Sequence, residues 1–257
     1  MAHRHSEPKI EIRDVHKAYR VNGQRVQALS GVSLQADSGE FVTIIGPSAC
    51  GKSTLFSIIC GLQDADEGEI RFDGAPAVHR AGMFGYMPQR DLLMPWRRVL
   101  DNVILGPEVQ SDNLPAARRE AQELLPLFGL QGFADSYPST LSGGMRQRAA
   151  LLRTFLCHKE VMLLDEPFGA LDAITRTNLQ QWLLEVWQRF RHTILFVTHD
   201  VEEAVFLSDH VYVFTPRPAR VRARLHIGLP RPRTRDLVLR PEFAALKHEL
   251  LAELGEG

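Results

Sequence analysis

The chain has 257 residues, of which 44% are hydrophobic and 24% are charged, and its formal net charge is −1 at pH 7. This composition is typical of a soluble globular protein with a sizeable core, and the near-neutral charge gives no support to nucleic acid as a partner. The three cysteines show no C-x-x-C spacing, so neither a disulfide framework nor a zinc site is expected.

The N-terminal third of the chain predicts strands around a single helix. Residues 1–9 are largely polar and are expected to form a flexible tail, and residues 10–15 alternate apolar and polar side chains as a half-exposed strand does. A second apolar series runs from residue 26 to residue 34. Residues 69–74 and 83–87 predict two further short strands.

The most informative stretch of this third, Gly46–Thr54, fits the phosphate-binding pattern G-x-x-x-x-G-K-[ST]. An apolar run at 41–45 predicts a strand before it, and residues 55–60 predict a helix after it. The two glycines let consecutive N–H groups point inward, and the start of the helix adds partial positive charge. Lys52 is expected to reach the β- and γ-phosphates, and the Ser53 hydroxyl is expected to bind Mg²⁺. The predicted phosphate-binding residues are Gly46, Pro47, Ser48, Ala49, Cys50, Gly51, Lys52, Ser53 and Thr54.

The middle of the chain, from about residue 90 to residue 155, has apolar residues at helical spacing and is interrupted by prolines. We interpret it as an inserted helical subdomain. After it, residues 161–164 and 194–198 form continuous apolar runs, as in strands buried in a parallel sheet. Residues 173–191 carry apolar side chains, including two tryptophans, at the spacing of a helix with one buried face.

Polar groups follow several of these predicted strands. Gly46, Gln89, Asp165 and His199 each come just after a strand, and the carboxyl ends of parallel strands lie at one edge of a sheet. Asp165 is suited to hold Mg²⁺ there, and Glu166 is suited to polarise a water molecule beside a γ-phosphate. This constellation predicts hydrolysis of a nucleoside triphosphate.

The C-terminal part of the chain predicts an extension. Residues 216–232 are rich in Arg and Pro and are interpreted as a strand, a turn and a strand, and residues 243–251 fit an amphipathic helix. The arginines of this part could form a patch for membrane lipids, but a solvated face is favoured. The domain prediction is a main domain at 10–234, followed by a helical extension at 235–257.

A second glycine-containing turn, Leu141–Arg148, matches the signature L-S-G-G-x-x-Q-R, and here the chain resembles the ATP-binding cassette (ABC) ATPases. The resemblance implies an α/β fold: a P-loop NTPase core on a mainly parallel sheet, an antiparallel β subdomain and the inserted α-helical subdomain. In that family two cassettes pack head to tail. The signature residues Ser142, Gly143 and Gly144 of one copy would then close over the nucleotide bound at Lys52 of the other copy, so a homodimer is expected.

The resemblance covers nearly the whole chain, and its elements occur in the family's order. It implies that Tyr19 stacks on adenine, that Asp172 belongs to the D-loop at the nucleotide and that His199 contacts the γ-phosphate. It further implies that Gln89 contacts Mg²⁺ and the attacking water. The implied cofactors are ATP and Mg²⁺, the catalytic residues are Glu166, His199 and Gln89, and the metal ligands are Ser53, Gln89 and Asp165. One departure is Ala49, which stands where the family often has glycine and would perturb the loop mildly if its φ angle must be positive.

The resemblance implies the role of a peripheral ATPase at the cytoplasmic face of a membrane. No apolar run approaches the roughly 20 residues that span a bilayer, so any membrane association is expected to be through a partner. A separate permease and a second cassette would be its direct partners, and a secreted substrate-binding protein would be an indirect one. Two alternatives account less well for the sequence. A soluble cassette acting on DNA or ribosomes is disfavoured by the short segment between Lys52 and Leu141 and by the single cassette. A small-molecule kinase does not account for residues 141–148.

The segment after Gln89 bears on the transported molecule. Residues 89–103 resemble the corresponding region of nitrate, sulfonate and taurine importer cassettes, as do residues 215–221 and 229–233. The expected solute is therefore a small anion, and the rival is a thiamine precursor or another heterocycle. Trp96 is interpreted either as an aromatic anchor for the permease or as a core tryptophan that closes the subdomain.

Overall fold

The computed structural model describes residues 7–110 and 112–255, so most of the predicted flexible tail lies outside the described residues. The strands are β1 (Ile10–Val21), β2 (Gln24–Ala36), β3 (Phe41–Ile45), β4 (Glu67–Phe72), β5 (Ala75–Pro76), β6 (Gly85–Met87), β7 (Val161–Asp165), β8 (Thr193–Thr198), β9 (His210–Phe214) and β10 (Val221–His226). The α-helices are α1 (Lys52–Ile59), α2 (Val99–Val103), α3 (Leu105–Val109), α4 (Leu114–Leu124), α5 (Gly143–Phe155), α6 (Ala173–Phe190), α7 (Val201–Leu207) and α8 (Pro241–Leu254).

The strands form two sheets. One is antiparallel with the order β2-β1-β4-β5, and the other has the order β10-β9-β3-β8-β7-β6. Within the second sheet β3, β6, β7, β8 and β9 run parallel, and β10 pairs antiparallel with β9 at the edge. The predicted α/β class, with a mainly parallel sheet and a separate antiparallel sheet, is confirmed.

The central strands are apolar throughout because both of their faces are covered. Along β7, Met162 and Leu164 face one hydrophobic cluster, whereas Val161 and Leu163 face the other. This alternation follows from the two-residue period of a strand. The first cluster contains residues of α2, α4, α5, α6, α7 and α8, and the second contains α1 and the antiparallel sheet. The parallel sheet is thus held between two cores, and its carboxyl edge is positioned rigidly.

The C-terminal segment departs from expectation. Only β10 forms from residues 216–232, and it pairs with β9, a strand that the sequence analysis did not anticipate. Arg233, just beyond the stretch for which a solvated arginine face is favoured, is 1% exposed and donates to the carbonyl oxygens of Phe206 and Ser208. The last carbonyl groups of a helix lack hydrogen-bond donors within the helix. At the end of α7, the Arg233 guanidinium is the donor to these groups. Burial lowers the pKa of Arg233 to about 9.

The described residues contain no helix that is both long enough and apolar enough to cross a bilayer.

Candidate active site

A cleft lies between the phosphate loop, Gly46–Thr54, and the strands β1 and β2. Its volume is about 240 Å³. The loop connects the buried end of β3 to the first turn of α1, so the cleft lies at the carboxyl edge of the parallel sheet. The cleft is lined by Tyr19, Val21, Val26, Ala28, Ala49, Cys50, Gly51, Lys52, Ser53, Thr54, Glu166 and Arg217.

Lys52 is the buried cation of this cleft. Its Nζ donates to the carbonyl oxygens of Gly46, at 2.7 Å, and of Pro47, at 3.0 Å. No side chain in the described part of the protein caps the first turn of α1, whose N-cap residue is Gly51. The N–H groups of that turn are therefore available to an anion, and the helix dipole favours negative charge at the same place.

Two glycines of the loop are required by close packing. A Cβ on Gly46 would lie 2.9 Å from the Cβ of Phe214, and a Cβ on Gly51 would lie 2.8 Å from the Cδ2 of Leu29. Gly51 also has a φ angle of 133°, which other residues rarely adopt. Ala49 has a φ angle of 58°, so the positive angle considered for this position is present, and its methyl group makes the conformation costly.

Asp165, the last residue of β7, is 3% exposed. Burial raises the pKa of this carboxyl, and a hydrogen bond from the Ser53 side chain opposes the shift. Its Oδ1 atom has no hydrogen-bond partner among the described residues. A buried carboxylate oxygen without a partner is costly, so this atom is suited to receive a cation or a donor.

Gln89, Glu166 and His199 meet at one point. Oε2 of Glu166 accepts a hydrogen bond from Nε2 of Gln89 at 3.1 Å and lies 3.3 Å from Nδ1 of His199. The three residues follow β6, β7 and β8, which are neighbours in the sheet with β7 in the middle. This strand order places Glu166 between the other two side chains. Glu166 itself has a φ angle of 45°, an uncommon conformation that often marks functional positions.

Tyr19 forms part of the cleft wall. It lies in β1, paired with Val26 of β2, and its hydroxyl donates to Oε1 of Gln63 at 2.5 Å. That hydrogen bond fixes the ring beside the cleft. An aromatic ring in this position provides a flat apolar surface for a base, as the prediction for Tyr19 requires.

The signature turn, Leu141–Gly144, lies outside this cleft. Oγ of Ser142 accepts from the N–H of Met145 at 3.3 Å and so caps α5. Gly144 packs against α6, where a Cβ would lie 2.8 Å from the Cγ2 of Thr175. The turn lines a separate surface opening with Met145, Arg148, Thr175, Asn178 and Leu179. Ser142, Gly143 and Gly144 are therefore not brought to the phosphate loop of the same chain.

Asp172 is also outside the cleft. Its Oδ1 accepts from the N–H of Thr175 at 3.0 Å, so it is the N-cap of α6. The pKa of Asp172 is lowered because its carboxylate accepts this hydrogen bond. Any contact of Asp172 with a nucleotide would thus have to involve a second copy of the chain.

The structure adds a buried polar network that the sequence analysis missed. Glu203, on α7, accepts from the hydroxyl of Thr198 at 2.6 Å and from Nε2 of Gln180 at 2.8 Å. Burial raises the pKa of Glu203. The network joins α6, whose N-cap is Asp172, to the residue that precedes His199. The sequence contained a signal for the burial of Glu203, because this acidic residue directly precedes the apolar residues of α7.

Arg217 was also missed as a site residue, although it lies in the cleft wall. It belongs to the segment between β9 and β10, far along the chain from the phosphate loop. No local pattern connects it with the loop, so only the fold reveals the proximity.

Comparison with known proteins identifies the family. A family profile described as ABC transporter matches residues 29–169, a stretch that contains both the phosphate loop and the signature turn. The chain belongs to the ABC transporter family. Among solved structures, the dimeric structure of MJ0796, a bacterial ABC transporter cassette, has a TM-score of 0.75 and 30% identity, with 86% of this chain and 100% of that chain covered.

Relatives of this ABC family member match over most of its length. The uncharacterized ABC transporter ATP-binding protein MJ0412 of Methanocaldococcus jannaschii is 43% identical, with 95% of this chain and 90% of the relative covered. The aliphatic sulfonates import ATP-binding protein SsuB of Bacillus cereus is 39% identical, with 88% and 89% covered. The nitrate import ATP-binding protein NrtD of Synechocystis is 38% identical, with 94% and 93% covered.

These findings settle the biochemical class. A further structure of the MJ0796 cassette is a post-hydrolysis state bound to ADP and Pi. The present chain is an ABC-type ATPase that binds ATP, and the predicted family and enzyme class are confirmed.

Proposed function

We propose that this ABC-type ATPase is the energy-supplying subunit of an importer for a small anion such as a sulfonate, taurine or nitrate. It acts as a homodimer bound to a separate permease at the cytoplasmic face of a membrane, and it responds indirectly to a secreted substrate-binding protein. The observation that carries the catalytic part is the meeting of Gln89, Glu166 and His199 beside the phosphate loop.

Glu166 is the proposed general base or water-orienting group. Its carboxylate lines the nucleotide cleft and is held from two sides by Gln89 and His199. Lys52, which donates to two loop carbonyl groups, would exchange these for phosphate oxygens when ATP binds. His199 would contact the γ-phosphate and Tyr19 the adenine. The remaining loop residues, from Gly46 to Thr54, would surround the phosphates with backbone N–H groups.

The residues at the end of β7 fit Mg²⁺. Asp165 offers a buried oxygen without a partner among the described residues, and the Ser53 hydroxyl lies against the same carboxylate. Mg²⁺ in nucleotide sites is commonly held by one or two protein oxygens together with phosphate oxygens. Ser53 and Asp165 are the proposed ligands, with the amide of Gln89 as a third. When bound, the ion neutralises charge on the β- and γ-phosphates.

A second copy of the chain would complete the site. Ser142, Gly143 and Gly144 form a helix start that lies outside the cleft of its own phosphate loop, with Ser142 exposed, Gly143 half-buried and Gly144 buried. Helix starts of this kind bind anions. In a head-to-tail dimer this turn would close over the γ-phosphate of the partner, and Asp172, at the start of α6, would lie near the same junction.

The permease contact is assigned to the segment around Trp96. Trp96 is 73% exposed, so its interpretation as a core tryptophan is wrong. The buried Asn102 holds the backbone of this segment, because its Nδ2 donates to the carbonyl oxygens of Met94 and Arg97. Arg153, on the signature helix α5, donates to the carbonyl oxygen of Leu92. A rigid exposed aromatic is a favourable anchor for a partner, and α5 would connect it to the signature turn.

The anion assignment is supported by the relatives named for sulfonate and nitrate import and by the resemblance of residues 89–103 to that group. The test is deletion of the gene, followed by growth on aliphatic sulfonates as sole sulfur source and on nitrate as sole nitrogen source. The deletion strain should fail to grow on one of these two sources. Normal growth on both, with loss of uptake of a pyrimidine or another vitamin precursor, would contradict the anion assignment and leave the ATPase class untouched.

The permease contact has its own test. The tagged chain should co-purify with a multi-spanning membrane protein, and Trp96→Ala should weaken this association. Leu239→Ala is the control, because Leu239 is also a large exposed apolar residue but lies near α8. Co-purification with ribosomes or DNA in place of a membrane protein would contradict the transport role.

A further inference from the structure

The segment between β9 and β10 lies directly against the phosphate loop. The N–H of Ala219 donates to the carbonyl oxygen of Ala28 at 2.9 Å, and the N–H of Ser30 donates to the carbonyl oxygen of Ala219 at 3.0 Å. These bonds tie the segment to β2, next to the loop. On the other side, Phe214 packs against Gly46 so closely that a Cβ there would be 2.9 Å away. The backbone that carries residue 217 is therefore fixed relative to the nucleotide cleft.

Arg217 extends from this segment into the cleft wall. Its Nη2 donates to the carbonyl oxygen of Ala49 at 2.7 Å. Within the described residues this is the hydrogen bond that its side chain makes, and a guanidinium has five N–H donors. The bond orients the planar group at the loop, and the other donors of this cleft-lining residue have no partner among the described residues.

The charge of the cleft also points to a role for this residue. The lining contains two cationic side chains, Lys52 and Arg217. Lys52 lies deep in the loop and is expected at the β- and γ-phosphates. Guanidinium groups bind phosphate oxygens in a planar, directional manner, and a charge-assisted bond of this kind is stronger than a neutral one.

We propose that Arg217 is a nucleotide-contacting residue of this ATPase. Its guanidinium, held on the phosphate loop through Ala49, donates to a phosphate oxygen of the bound nucleotide. The contact is made in the ground state, so it contributes to the affinity for both ATP and ADP more than to the rate of the chemical step.

The test is equilibrium binding of fluorescent ATP and ADP analogues to the purified chain. Arg217→Met, which keeps an unbranched side chain and removes the charge, should weaken both by about ten-fold, the lower end for a hydrogen bond to a charged group. Arg217→Lys should recover part of the loss. Arg220→Met is the matched control, because Arg220 is an exposed arginine of the same segment that is not part of the cleft lining.

The salt dependence of nucleotide affinity distinguishes a contact between Arg217 and phosphate from a role in which Arg217 only holds the phosphate loop through Ala49. A bond between two charges is screened by ions, whereas the bond from Arg217 to the neutral carbonyl of Ala49 is affected much less. The deficit of Arg217→Met should therefore be smaller at 1 M than at 0.05 M salt. Unchanged nucleotide affinity in Arg217→Met would overturn the proposal. A deficit that is equal at both salt concentrations would overturn it too, because it would assign the residue to the loop alone.

Discussion

The phosphate loop and the signature turn are both glycine-containing turns that begin a helix, yet only one of them forms a closed site within the chain. The phosphate loop leaves the first turn of α1 without a side-chain cap and surrounds it with Lys52, Tyr19 and Glu166. At the signature turn, the exposed Ser142 caps α5, and Gly144 is buried against α6.

The difference shows what a helix start needs in order to become a nucleotide site. Both turns supply N–H groups and a favourable dipole, but these are weak in water and gain strength where water is excluded. The phosphate loop obtains that exclusion from β1, β2 and the carboxyl edge of the sheet. The part of the chain that the structure describes provides no such wall for the signature turn, so the function of this turn should depend on a partner. Four experiments address this contrast.

The largest effect is expected on the phosphate-loop side. Glu166→Gln should keep ATP binding and lower the turnover by about 10²- to 10⁴-fold, the usual contribution of a positioned base. Steady-state ATPase rates and nucleotide binding measure the two quantities separately. Glu185→Gln, an exposed change on α6, is the control and should behave as wild type. Wild-type turnover in Glu166→Gln would remove Glu166 from its assigned role.

The second experiment tests whether the signature turn acts across a dimer. Lys52→Ala disables the phosphate loop and Ser142→Arg obstructs the signature turn, so each variant should be inactive alone. In a mixture, random pairing of a symmetric dimer leaves about one quarter of the sites intact, and the ATPase rate should recover to about one quarter of wild type. Mixed dimers are to be demonstrated with two different tags. If such dimers form and no activity returns, the signature turn does not work in trans.

A smaller effect is expected from Gly144→Ala. The new Cβ would lie 2.8 Å from the Cγ2 of Thr175, so α5 and α6 must move apart. Overpacking of this kind costs about 1–3 kcal/mol, and the thermal midpoint should fall by several degrees. The ATPase rate should fall while nucleotide affinity at the phosphate loop is retained. Thr175→Ser removes the clashing methyl group, and the double variant should recover. Failure of this recovery would show that the packing against α6 is not the reason for the glycine.

The smallest effect is expected from Ala49→Gly. The left-handed conformation of Ala49 costs about 1–2 kcal/mol relative to glycine, and the substitution removes this cost. Glycine also raises the entropy of the unfolded chain, which lowers the stability by about 0.4–1 kcal/mol. The net gain in the free energy of unfolding should be between about 0 and 1.6 kcal/mol, measured by denaturant unfolding without nucleotide. Ala170→Gly, at an exposed turn residue without a positive φ angle, is the control and should give no gain. A loss of stability in Ala49→Gly would mean that the methyl group makes favourable contacts that outweigh the strain.

The sequence alone determined the features that depend on local spacing and backbone conformation. The phosphate loop, the signature turn and the apolar strands before Asp165 and His199 are all short segments, and their patterns predicted the family, the α/β class and ATP hydrolysis. Those predictions are confirmed because a turn between a strand and a helix needs particular residues at particular positions. The roles of the individual site residues remain predictions.

Only the tertiary structure decided which distant residues meet. The order β8-β7-β6 places Glu166 between His199 and Gln89, and no pattern along the chain contains that order. Packing likewise buried Arg233 at the end of α7, exposed Trp96 and brought Arg217 to the phosphate loop. The physical reason is that burial and proximity are set by which faces of the elements cover one another, and this follows from the topology of the whole sheet.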